Sequence, residues 1–154
     1  MRLTLTGAAG PDGLYASSAY NNTRDRVAGT GFGLGTTVGS ISKVEALYSI
    51  YLSSTLTDDT AEAFLFFNNS QITTTVLGPS VLNPYAPGAG AQGLLAWNVT
   101  NARSWAWADI TGDLDLEINA VKSGGGDGAT FNLDAIGFRI LGRSTVGSRR
   151  SAVL

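Results

Sequence analysis

The 154-residue chain contains neither cysteine nor histidine. Those absences remove thiol nucleophiles, disulfides, Cys/His metal ligation and every Ser-His-Asp or Cys-His catalytic device. Charge is scarce as well: 14% of residues are Asp, Glu, Lys or Arg, against about 25% in an average soluble domain. With 44% hydrophobic residues, such a composition folds rather than remaining disordered. Long hydrophobic runs are missing too. Stretches such as Ala63–Phe67 fall far short of the ~20 residues a membrane-spanning helix requires. The segment Met1–Gly7 carries one positive charge and no apolar core, so, if Met1 is the native start, no signal peptide is expected there. One domain is expected from the length, at roughly 150 residues per domain.

The charges that are present are unevenly placed. Residues 1–134 carry six basic groups against all twelve acids, a balance of −6. Residues 135–154 carry Arg139, Arg143, Arg149 and Arg150 with no acid, a balance of +4. An acidic body with a short basic end reads either as a docking tail for an acidic partner or as a terminal tag without a role. Nucleic-acid binding would interleave such a basic stripe with aromatics, and no aromatic follows Phe138.

Period-two alternation dominates the patterning. In Val44–Leu52 one parity (Val44, Ala46, Tyr48, Ile50, Leu52) is apolar throughout, which predicts a long strand with one buried face. In Asp113–Val121, residues Leu114, Leu116, Ile118 and Ala120 alternate with Asp113, Asp115, Glu117 and Asn119. The second set is expected to face water. Further strands are expected at Arg2–Thr6, Val27–Val38, Ala61–Phe67, Gln71–Leu77, Gly93–Thr100 and Ala129–Leu141. Thr57–Thr60 and Asn68–Ser70 read as tight hairpin connections, and Ser123–Gly128 as a flexible hairpin tip. Residues 79–93, with Pro84 and Pro87, form a long loop. Ser104–Ile110 is the one stretch suited to a helical turn. Phe131 and Leu133 share one parity while Ile136, Phe138 and Ile140 share the other, so a bulge is expected near Asp134–Ala135. About eight strands with short turns predict an all-β, antiparallel two-sheet sandwich or a barrel. Of these, the jelly roll is the expectation.

Three segments follow: a Gly-rich N-terminal arm or first strand at 1–40, a sandwich at 41–141 and a basic tail at 142–154. The glycines of the first segment suit either an arm ordered by a neighbour or a strand with bulges and close backbone approaches. Gly29–Gly35 lacks the G-x-x-x-x-G-K-[ST] spacing and no Lys follows it, which argues against a phosphate loop.

Carboxylates are what remains for chemistry. Asp58, Asp59, Asp109, Asp113, Asp115, Asp127 and Asp134 could in principle supply a glycosidase-like pair, which needs two carboxyls about 5–9 Å apart in a cleft. Turn and solvent-face positions make that improbable, and no enzyme is expected. No cofactor is expected either. Asp109, Asp127 and Asp134 are the calcium candidates, although no D-x-[DN]-x-[DN]-G loop is present. Trp97 alternates with Leu95 and Val99 and reads as core. Trp105 and Trp107, two apart, form with Tyr85 either a platform for a sugar ring or a plug at one end of the sandwich. Three N-x-[ST] sequons, at Asn21, Asn68 and Asn98, are near the number chance supplies.

The order Trp97-Asn98-Val99-Thr100, Trp105-Ala106-Trp107-Ala108-Asp109-Ile110, the alternating strand to Val121, a Gly-rich turn and Phe131–Ile140 resembles a jelly-roll domain of tailed-bacteriophage virion proteins. That domain is similar in fold to carbohydrate-binding sandwiches, and the resemblance covers residues 41–141. It implies a non-enzymatic capsid decoration, tail or fibre component, assembled in the host cytoplasm into the virion with copies of itself and other virion proteins. Neither nucleic acid nor membrane is an expected partner. The expected assembly contacts are Leu3, Leu5, Tyr15 and Tyr20 in the arm and Arg143, Arg149, Arg150 and Leu154 in the tail. The alternatives are a carbohydrate-binding module or receptor-binding head, and a strand-exchange pilus or fibre subunit.

Overall fold

The apolar parity of Val44–Leu52 becomes the spine of the molecule. The computed structural model describes residues 16–19, 25–30, 39–78, 93–110, 114–125, 127–143 and 149–153. Its strands are β1 (Ala16–Ala19), β2 (Asp25–Thr30), β3 (Ser40–Leu52), β4 (Thr60–Phe67), β5 (Ser70–Leu77), β6 (Gly93–Asn98), β7 (Leu114–Val121), β8 (Thr130–Arg143) and β9 (Arg149–Val153). A 3-10 turn at Thr100–Ala102 and one helical turn, α1 (Trp107–Ile110), lie between β6 and β7. The expected helical turn is therefore found. The expected strand at 2–6 lies outside the described residues.

All pairings are antiparallel, and their order defines the fold. β4 pairs with β5, β3 with β6, β2 with β7 and β1 with β8. This is one long hairpin, bent at the β4–β5 turn and rolled up. The contacts β3·β8 and β4·β7 then join the pairs into two four-stranded layers, β1-β8-β3-β6 and β2-β7-β4-β5. β9 adds to the first layer beside β8. Seven of the expected strands have counterparts among the described residues, and they pair as the expected all-β, antiparallel two-sheet sandwich of jelly-roll type.

Hairpin chemistry sits where the roll begins. Asn68 and Asn69 take φ of 48° and 59°, the left-handed pair that a two-residue hairpin turn demands and that Asn tolerates. Two other connections differ from expectation. Thr57–Thr60 and Ser123–Gly128 are not hairpin tips; they carry the chain between layers, from β3 to β4 and from β7 to β8. Local turn signals name a reversal but not the strand that receives the chain afterwards.

The core lies between the layers. Val44, Ala46, Tyr48, Ile50 and Leu52 face Leu114, Leu116 and Ile118, with Phe131, Leu133, Phe138 and Ile140 beside them, all nearly or fully buried. Along β3·β8 the register steps from Ser49↔Ala135 to Ile50↔Leu133. Asp134 is the extra residue, and the bulge returns both apolar parities of β8 to the core. β3 departs from its expected single buried face: Glu45, Leu47 and Ser49 on the other parity are also buried. As an interior strand between β8 and β6 it has no free edge. The water-facing set of β7 departs likewise. Asn119 is buried, Asp115 and Glu117 are half-buried. Phe66 and Phe64 stand directly opposite Asp115 and Glu117 across β4·β7, and Glu62 opposite Asn119. Large rings on the same face shade the shorter acids beside them.

Candidate functional site

Three arrangements carry the chain's polar chemistry. The first joins the two interlayer crossovers. Because β3·β8 and β4·β7 are neighbours, the β3–β4 and β7–β8 connections run side by side. Asp59, fully buried, accepts the Ser123 N–H at 2.8 Å on Oδ1 and the Asp127 N–H at 3.0 Å on Oδ2. Asp127 answers through Oδ2, which accepts the N–H groups of Thr57 (2.7 Å), Asp58 (3.2 Å) and Asp59 (3.3 Å). The Thr57 amide above all holds the Asp127 carboxyl below the usual carboxylate range, with smaller contributions from the Thr57 hydroxyl and the Asp59 and Asp58 amides.

Asp58, Asp59 and Asp127 bring ligand oxygens within 4.8 Å of one another, and among the described residues they are the one such trio. Of the calcium candidates, then, Asp127 meets two other carboxylates, while Asp109 and Asp134 lie elsewhere. Asp109 accepts the Ala106 N–H at 2.8 Å and pairs with Arg103 at 3.3 Å. Asp134 is buried at the bulge. Both oxygens of Asp59 and one of Asp127 are already engaged by amides, so the trio works as a clip between loops.

The second arrangement is the tryptophan corner. Trp105 and Trp107 do not share a strand face, because α1 begins at Trp107. Trp105 Nε1 donates to the Val99 carbonyl at 3.1 Å, and Trp107 Nε1 donates to the Gly39 carbonyl at 3.0 Å. Both rings are half-buried against the core. The Trp107 ring fills the space above Gly142, where a Cβ would lie 2.6 Å from Cζ2. Arg103 sits 3.9 Å from the Phe67 ring centre and 5.7 Å from that of Trp105, a cation–π arrangement. These contacts tie both indoles to the body of the sandwich. Tyr85 lies outside the described residues.

The third is a groove that the sequence reading missed. A cavity of about 340 Å³ is lined by Thr73, Trp97, Asn98, Val99, Asn101 and Ala102. Among the described strands, β5 and β6 are edge strands of opposite layers. Trp97, read as core, follows the inward parity but is half-buried at this rim. The alternation was informative about its direction. That β6 ends its layer was not visible.

The first and last described strands both pair with β8. β1 pairs with residues 130–133 and β9 with residues 139–143. Within the basic end, Arg139 is committed to the body. Its Nε donates to Glu45 Oε2 at 2.6 Å while Lys43 Nζ lies 2.7 Å from Oε1. Arg139, more than Lys43, holds Glu45 below its ordinary pKa. Arg143 and Arg149 occupy directly opposed register positions, and Arg150 opposes Gly142. The expected contacts Leu3, Leu5, Tyr15, Tyr20 and Leu154 lie outside the described residues.

An eight-stranded jelly roll with a solid hydrocarbon interior is therefore the class that the geometry defines. No protein-family model matches the chain, and no curated protein does. Among solved structures, the VP2 subviral particle of infectious bursal disease virus overlaps at TM-score 0.42 and 14% identity, covering 84% of this chain and 30% of that one. A structure of the Gt strain of infectious bursal disease virus overlaps at TM-score 0.39 and 14% identity, covering 82% and 30%. At that level the likeness assigns neither a family nor a role, and this chain spans less than a third of either neighbour.

Proposed function

We propose that the protein is a non-enzymatic structural component of a virion, of the tailed-bacteriophage type, placed as a capsid decoration, tail or fibre subunit. It acts by assembling with copies of itself and with other virion proteins. The observation that carries this reading is the strand order 1·8, 2·7, 3·6, 4·5 wrapped around an interior filled by side chains. Jelly rolls of that kind recur in capsids and lectins, and in cupins. The step from fold to role is an analogy at the level of fold. Cupin-type metal chemistry would call for histidines that this chain lacks.

Two further features favour assembly. β1 and β9, the first and last described strands, lie on the same edge of β8. The sequence places four basic residues and no acid after residue 134, a basic end that suits an acidic partner surface.

The test is immunogold labelling of particles released by the producing culture, using antibody to the purified chain. Label on particles is expected; label confined to the free-protein fraction overturns the proposal. Deletion of residues 1–15, which spares β1, and replacement of Arg149 and Arg150 by serine each lower incorporation if the ends make the contacts.

A further inference from the structure

We propose that the groove between the edges of β5 and β6 binds a neutral sugar ring, with the Trp97 indole as its stacking surface. The inference does not rest on the virion reading.

Its shape comes from the topology. Among the described strands, β5 and β6 end their layers on the same side of the roll, as β2 and β1 do on the other. Thr73 opposes the core residue Leu65, and Trp97 opposes the core residue Ala46. Both therefore take the inward parity, and among the described residues no further strand pairs with β5 or β6 on that side. The resulting volume, about 340 Å³, falls at the lower end of the roughly 300–1,000 Å³ typical of small-molecule sites.

Its chemistry comes from uncommitted donors. Trp105 and Trp107 both give their indole N–H to backbone carbonyls. Trp97 makes no such bond among the described residues, although its ring is packed against the core. Asn98 is locked in one orientation. Its Oδ1 accepts the Thr100 N–H at 3.0 Å and the Thr100 hydroxyl at 2.7 Å. Thr100 in turn is fixed by Val44, whose N–H donates to Oγ1 at 3.0 Å. Among the described residues no acceptor meets the Asn98 amide nitrogen, which keeps two donors. Asn101, exposed on the 3-10 turn, and Thr73 add groups that both donate and accept.

The described lining residues are uncharged: an indole, two amides, a hydroxyl and two small apolar side chains. A flat apolar ring flanked by amides and a hydroxyl suits a pyranose: the C–H face stacks on the indole while ring hydroxyls meet the polar rim. A preset amide lowers the ordering cost of binding.

The experiment is nitrogen-15 NMR of the full chain, which resolves the three indole N–H signals. Glucose, galactose and N-acetylglucosamine are titrated separately, and the labelled chain is also applied to a glycan array. Saturable movement of the Trp97 indole and the Asn98 and Asn101 amide signals, with Trp105 and Trp107 unmoved, is the expected result. Array binding without monosaccharide shifts assigns the sugar to an extended surface glycan; monosaccharide shifts alone assign it to free saccharide. Asn101→Ala, an exposed position that leaves the fold intact, weakens binding by about tenfold, the equivalent of one lost hydrogen bond at the upper end of its range. Trp97→Phe keeps a ring and loses the donor, and weakens binding while retaining it. No movement with any sugar and a blank array, or equal movement of all three indoles, overturns the proposal. A blank result leaves the particle-labelling experiment untouched, and failure of that experiment leaves this one untouched.

Discussion

Replacing Tyr48 with phenylalanine stabilises the protein by about 1–2 kcal/mol. Tyr48 is the largest fully buried side chain of β3, in register between Leu95 and Ile136. Its phenolic oxygen is buried without a hydrogen-bond partner. Burial accordingly pushes its pKa far up from the ordinary 10.0. A buried hydroxyl that exchanges water for nothing costs about 1–3 kcal/mol. Deleting one oxygen leaves a void of order 10 Å³, which at roughly 24 cal/mol per Å³ returns only a few tenths of a kcal/mol. The net gain corresponds to a rise in Tm of about 2–8 °C for a chain of this length. Urea denaturation followed by tryptophan fluorescence measures it: the midpoint rises by roughly 0.5–1 M at unchanged slope. A loss of stability would refute the reasoning, because it would mean that the phenol has a partner inside the core. Ultraviolet titration adds an independent check, since Tyr48 ionises only when the chain unfolds.

Other outcomes follow from the same geometry. Asp59→Ala leaves the Ser123 and Asp127 amides without their acceptor and costs about 2–4 kcal/mol in chemical denaturation; a change inside experimental error sinks the clip. Acid destabilises the fold through Glu45 and Asp127, both of which have folded-state pKa values below their ordinary 4.5 and 3.8. Groups shifted in this direction contribute stability above the unfolded value, and that stability is lost as pH falls through the folded one. Glu45→Gln therefore flattens the acid limb of a stability–pH profile, and an unaltered limb contradicts the Arg139 pairing. Gly142→Ala drives a Cβ into the Trp107 ring and costs about 1–3 kcal/mol of overpacking, much of it recovered in a Gly142→Ala, Trp107→Leu double variant. Calcium and chelator leave Tm unchanged if amides alone satisfy the Asp59–Asp127 clip; a rise that scales with ion concentration overturns that assignment.

Strand parity was legible in the sequence because side chains alternate with a period of two whatever their neighbours. Val44–Leu52, Leu114–Val121 and the phase change at Asp134 all carry through to the core and the bulge. β1, with the composition Ala-Ser-Ser-Ala, and β9, Arg-Arg-Ser-Ala-Val, carry no such alternation. They are strands because β8 offers them an edge. The interlayer routes of 57–60 and 123–128 were hidden for a related reason: a turn residue reports local φ and ψ, not the destination of the chain. So too with function. The absence of cysteine and histidine was plain from the start, but the groove at Trp97 exists only because β5 and β6 end opposite layers.

By itself, then, the sequence determined the all-β class, the faces of the main strands and the chemistries the chain does without. These depend on periodicity and composition, which are properties of neighbours along the chain. Only the tertiary structure decided that Asp59 and Asp127 clip two crossovers, that Glu45 takes Arg139, and that the Trp105 and Trp107 indoles bond backbone carbonyls while, among the described residues, that of Trp97 does not. The clip joins residues 68 apart in sequence and the Glu45–Arg139 pair residues 94 apart, and strand order sets those separations.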